Sequence, residues 1–221
     1  MGNNGESTQQ QKRAMPLRVR KPKVSSETVN FVVGIPLPAT ISERIARDTC
    51  QIFRNADRTN RFRLLPPETF HVTLLEFENA QPGVVANFLA ELEKRLTIMR
   101  PFQGRMDGMQ LKAGEGFGAV WVSFQDSENE TLALRLLLET CAADFQLPEW
   151  QPKELEAHNT VALYKEANLE KLEEVIRGRS TNFGRFTVGQ LAVYEYSTGS
   201  EGPSFDLVCT KRLDLQGGES R

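Results

Sequence analysis

Phe70-His71-Val72-Thr73-Leu74 is answered 87 residues later by Ala157-His158-Asn159-Thr160-Val161, and these two strings hold both histidines of the 221-residue chain. Threonine fills 15 of the 221 positions, so two accidental His-x-Thr matches amount to about a one-in-200 event. Imidazole is the side chain that titrates near neutral pH without perturbation, which makes an identically framed pair a candidate acid–base site. A β-strand alternates its side chains, so residues two apart share a face about 7 Å apart. On that geometry His71 and Thr73 point one way while Phe70, Val72 and Leu74 pack the other way. His158 and Thr160 repeat the arrangement, although Asn159 makes the second packing face less apolar.

The segments around the two strings show how they are carried. Val29 to Ile35 is a buried-strand run ended by Pro36 and Pro38, and residues 40–56 form an amphipathic helix marked by Ile41, Ile45 and Ile52. Arg61 to Leu65 is a short strand, Pro66-Pro67 a turn, and Thr69 to Phe77 the strand of the first string. A helix over 83–98 leads to strands at 102–112 and 117–124, which flank Gly114-Glu115-Gly116-Phe117-Gly118. That glycine run is a hairpin loop and a weak phosphate cradle, because no helix starts after it. The second half repeats the plan with a helix at 128–145, the strand 157–164, a helix at 168–178, and strands at 184–195 and 204–213. Each half thus offers a helix, a His-x-Thr strand and another helix. The fold class is α+β: two pseudo-symmetric lobes of antiparallel sheet with outer helices and a central cleft.

Composition narrows the partners. Residues 1–24 carry six basic side chains against Glu6 alone, which leaves the remainder at −7 out of a net charge of −2. A body that acidic does not suit general nucleic-acid binding, but it accommodates a small anionic substrate in a local positive pocket. Residues 1–27 read as a disordered basic tail, 28–214 as the folded domain and 215–221 as a disordered C-terminal tail. The tail is either a solvated leader or a nuclear-import, RNA-tethering or targeting segment. No apolar run approaches a membrane span, so no membrane partner is expected, and the chain is read as cytoplasmic, with nuclear entry through the tail as the alternative. Cys50, Cys141 and Cys209 are odd in number, widely spaced and read as reduced, buried thiols. With two histidines and no cysteine cluster, neither a metal nor another cofactor is expected. The chain is expected to act as a monomer.

If the two strands lie side by side, His71, Thr73, His158 and Thr160 converge on one cleft. One neutral imidazole then takes a proton from an attacking hydroxyl or water, and one imidazolium protonates the leaving oxygen of a phosphodiester. The threonines hold the phosphoryl oxygens and stabilise their charge in the transition state.

These strings resemble the two-histidine (2H) phosphoesterase superfamily, the LigT-like fold, whose signature is a pair of His-x-Ser/Thr motifs. Leu65 to Leu74 is similar to the family's lead-in to its first motif. Pro101-Phe102 with its glycine-punctuated strand, and the strands Val188–Ser197 and Phe205–Cys209, are similar to its later elements. Ala157 departs from the proline that many bacterial members carry. The resemblance implies a bilobal fold with the cleft between lobes, and a catalytic set of His71, Thr73, His158 and Thr160. It also implies a base-stacking role for Phe31, as in the A-kinase anchoring protein branch. Arg63, Tyr194 and Tyr196 are further candidates for substrate contact. The strings Asn30–Pro36 and Phe70–Leu75 resemble the anchoring-protein and viral 2′,5′-phosphodiesterase branch, which implies a 2′,5′-linked oligoadenylate or related short RNA as substrate. The alternatives are a 2′,3′-cyclic phosphate in RNA end processing, and a non-catalytic nucleotide- or RNA-binding module on the same fold.

Overall fold

The computed structural model describes residues 28–56, 61–113, 118–147, 156–165, 169–179, 181–199 and 202–216. The tail at 1–27, residues 217–221 and the glycine run at 114–117 lie outside the described residues. Among the described residues nine strands and four α-helices follow in the order β1 (Val29–Pro36), α1 (Ala39–Ala56), β2 (Arg61–Leu64), β3 (His71–Ala80), α2 (Pro82–Arg95), β4 (Phe102–Lys112), β5 (Gly118–Asp126), α3 (Glu130–Asp144), β6 (His158–Lys165), α4 (Leu169–Arg177), β7 (Asn182–Val188), β8 (Gln190–Gly199) and β9 (Gly202–Asp214). Short 3₁₀ turns at Pro67–Thr69 and Leu96–Ile98 lead into β3 and out of α2.

The strands form two antiparallel sheets, a four-stranded one ordered β3-β1-β8-β9 and a five-stranded one ordered β2-β6-β5-β4-β7. The halves of the chain do not each make one lobe. Helix α1 follows β1 but packs on β2, β6 and β7 of the other sheet and on α4, whereas α3 follows β5 and packs back on β3 and α2. The lobes therefore exchange helices, which ties them into one apolar core. On the four-stranded side Phe31 stacks on Phe77 at 4.8 Å and meets Phe88 of α2. On the other side Phe53 of α1 stacks on Phe62 at 4.2 Å and meets Tyr164.

Three expectations need correction. The strand read as 184–195 is two strands in different sheets, separated by Gly189. Burial changes there from alternate residues, Phe186 and Val188, to the unbroken run Leu191–Tyr194, because the chain leaves the edge of one sheet for the interior of the other. The ordered domain runs past 214, since Leu215 is buried in the core and its N–H donates to the Gly189 carbonyl. Of the thiols only Cys141 is buried; Cys50 is half-buried and Cys209 exposed. No helix among the described residues is long and apolar enough to cross a membrane.

Candidate active site

The His-x-Thr strands β3 and β6 are neighbours across the seam between the sheets rather than partners in one ladder. The side chain of Asn159 bridges them: its Oδ1 accepts the backbone N–H of His71 at 3.1 Å. Both imidazoles are anchored in the same way. Nδ1 of His71 lies 2.7 Å from the Thr69 carbonyl and Nδ1 of His158 lies 2.6 Å from the Glu156 carbonyl, in each case two residues upstream. A carbonyl oxygen only accepts, so Nδ1 carries the proton in both rings and Nε2 is left for chemistry. His71 Nε2 is 3.1 Å from the Thr73 hydroxyl, the in-strand neighbour that alternation places on the same face.

Each ring also has an aromatic partner on another strand of its own sheet. Tyr194 of β8, fully buried, stacks on His71 with centroids 4.5 Å apart and planes 27° apart. Trp121 of β5 stacks on His158 at 3.5 Å and 14°. Lys112 Nζ lies 4.8 Å from the Trp121 ring centroid and pairs with the Glu156 carboxylate at 3.1 Å, so charges of both signs surround His158. Burial drives the His71 imidazole down to about 4; the Thr69 hydrogen bond opposes this and the charge of His158 adds to it. His158 is lowered as well, by burial first, with the Glu156 carbonyl and carboxylate opposing and Lys112 adding.

Thr160 sits opposite Trp121 in the β5–β6 ladder. Leu163 pairs with both Ala119 and Arg63, and Ala119 shares a face with Trp121, so exposed Arg63 stands on the His158 face of the sheet. Tyr194 and Tyr196 share the face of β8 that pairs toward Val32 and Asn30. The Tyr196 hydroxyl is buried beside Glu76 and Glu78 without a well-formed hydrogen bond among the described residues; burial first, then these carboxyls, push the phenol far above its ordinary value, and burial raises Glu76. Phe31 is not brought to the site. It points from β1 into the core, 0% exposed against Phe77 and Phe88, while Val32 and Gly34 lie on the His71 face of the sheet. The base-stacking expectation at Phe31 is therefore corrected.

Sequence reasoning missed Trp121 and Gly34 and read Asn159 only as a departure. The one available signal was the alternation Ala119-Trp121-Ser123, which places an aromatic ring on the polar face of a strand. Among the described residues no three His, Cys, Asp or Glu side chains cluster as metal ligands do.

Two antiparallel sheets backed by helices are the LigT-like fold. Solved structures share it over most of their length. TT0787 of Thermus thermophilus matches at 18% identity with a TM-score of 0.63, covering 86% of this chain and 100% of that one. E. coli LigT in apo form matches at 19% and 0.64, covering 86% and 98%. E. coli LigT complexed with 3′-AMP matches at 17% and 0.63, covering 86% and 99%. No family model matches the chain, and no curated protein matches it in sequence.

Proposed function

We propose that this protein is a two-histidine phosphodiesterase that cleaves a 2′,5′-linked oligoadenylate or a related short RNA without a metal ion. One observation carries the reading: two imidazoles, each locked by an Nδ1–H bond to the carbonyl two residues upstream, leave Nε2 available on strands that meet at one seam. His71, kept neutral by burial, accepts the proton of the attacking hydroxyl or water. His158, lowered by burial against the opposing Glu156 carbonyl and carboxylate, donates to the leaving oxygen in its protonated form. Thr73 and Thr160 donate hydrogen bonds to the non-bridging oxygens as charge develops there. Arg63, on the His158 face, supports an anionic substrate. A monomer is proposed as the active unit. Support for the 2′,5′ linkage comes from the strings Asn30–Pro36 and Phe70–Leu75.

A 2′,3′-cyclic phosphate asks the same four side chains for the same proton transfers, and the Leu65–Leu74 lead-in suits that substrate equally. The test is chromatographic product analysis with EDTA present, on 2′,5′-linked triadenylate and adenosine 2′,3′-cyclic phosphate in parallel. Cleavage of the triadenylate is the expected result. Turnover of the cyclic phosphate alone replaces the substrate while keeping the chemistry, and silence on both makes the domain a binding module.

A further inference from the structure

Asn159 sits between His158 and Thr160, is 1% exposed, and by strand alternation leaves β6 on the face opposite theirs. Its carboxamide does two unequal things. Oδ1 accepts the backbone N–H of His71 at 3.1 Å, across the seam. Nδ2 is buried with no hydrogen-bond partner among the described residues. Because β3 is the edge strand of its sheet, the His71 N–H has no strand partner on its outer side, and Asn159 takes that place. A buried donor left unmade is costly, so this amide is a poor device for stability alone. What it does achieve is geometric. From His71 to His158 the connection is one hydrogen bond, one short side chain and one peptide unit.

We propose that Asn159 is a positioning residue that fixes the separation and orientation of the two catalytic imidazoles. The inference rests on the phosphodiesterase reading for its kinetic consequence but not for its geometry. Asn159 faces away from the cleft, so its loss acts on the chemical step and not on substrate affinity. An error of about 1 Å between acid and base costs on the order of a hundredfold in rate.

The test uses the full chain as Asn159→Leu, which removes the acceptor at similar size, and Asn159→Asp, which keeps it and deletes the orphan donor. Expected for Asn159→Leu is a fall in kcat of about thirty- to a hundredfold with KM within about twofold, and for Asn159→Asp recovery to within about fivefold of the parent. Should Asn159→Leu fail to fold, Asn159→Ser, too short to reach His71, takes its place with the same expectation. The chain has two histidines, so ring-¹⁵N spectra resolve both imidazoles, and inorganic phosphate serves as the probe. In the parent, phosphate shifts both rings together; in Asn159→Leu the two responses separate. Unaltered kcat with a lowered melting temperature, or Asn159→Asp as inactive as Asn159→Leu, overturns the proposal. If the parent turns over no phosphodiester, the functional reading falls and the spectra alone decide, with identical ring responses in parent and Asn159→Leu counting against positioning.

Discussion

Gly34 lies under the His71 ring. A β-carbon on Gly34 would stand 2.8 Å from His71 Cδ2 and 2.7 Å from the Val72 carbonyl oxygen, closer than packed atoms tolerate. Swinging the imidazole relieves only the first contact; the second forces the β1 and β3 backbones apart, so both the ring and the strand that carries it must shift. Gly34→Ala is expected to lower kcat by about a hundredfold, through displacement of the base, together with a drop in melting temperature. Steady-state kinetics and a thermal melt check it; a Gly34→Ala protein with the parent's kcat shows that His71 is not positioned this way.

The pH dependence follows from the two depressed imidazoles. The base must be neutral, which for His71 holds above about 4, and the acid must be protonated, which for His158 holds only below a value lying under 6.5. The profile of kcat/KM is therefore expected to peak on the acid side of neutrality, between about 4 and 6.5, and to fall as pH rises and His158 loses its proton. A maximum well above pH 7 contradicts this assignment of acid and base. Stability has its own sign: the unfolded chain protonates this imidazole at the ordinary 6.5, the folded one resists until about 4, so acidification through that window destabilises the fold.

Trp121 holds the ring of His158 by stacking at 3.5 Å. Aromatic pairs of this kind contribute about 0.5–1.5 kcal/mol beyond area burial. Trp121→Leu is accordingly expected to lower kcat by about two- to tenfold, while Trp121→Phe, which keeps a ring face, retains most of it. Equal losses in both variants, measured at saturating substrate, show that bulk rather than stacking matters.

Phe31 belongs to the core, stacked on Phe77 and 0% exposed. Phe31→Ala is expected to cost about 3–5 kcal/mol of stability, read from denaturant unfolding. KM of the folded protein should stay near the parent's value. A large rise in KM without loss of stability restores the base-stacking role.

The local elements were legible because their signals are local. Ile41, Ile45 and Ile52 mark one face of α1, and the alternation around His71 and His158 marks two strands. The His-x-Thr frame of the candidate site was legible for the same reason, since it needs only the period of a strand. What stayed hidden depends on register between distant segments. Gly34 reads as an ordinary strand glycine until the β1–β3 ladder puts it beside Thr73 and under His71. Tyr194 was visible as an aromatic on a late strand, but its stacking on His71 comes from β1 standing between β3 and β8. Asn159 looked merely too polar, because its partner is a backbone N–H 88 residues away. The exchange of helices between lobes leaves no local trace, since each helix is amphipathic whichever sheet it covers.

The central claim is that His71 and His158 act as one acid–base unit, and a double-mutant comparison tests it most directly. kcat on 2′,5′-linked triadenylate, or on the cyclic phosphate if that is the substrate turned over, would be measured for His71→Ala, His158→Ala and the combined variant. Groups that act together are grossly non-additive when removed. The expected result is a loss of at least about a thousandfold in each single variant and no further loss in the double. A single variant that keeps most of the activity, or losses that multiply, would contradict the account.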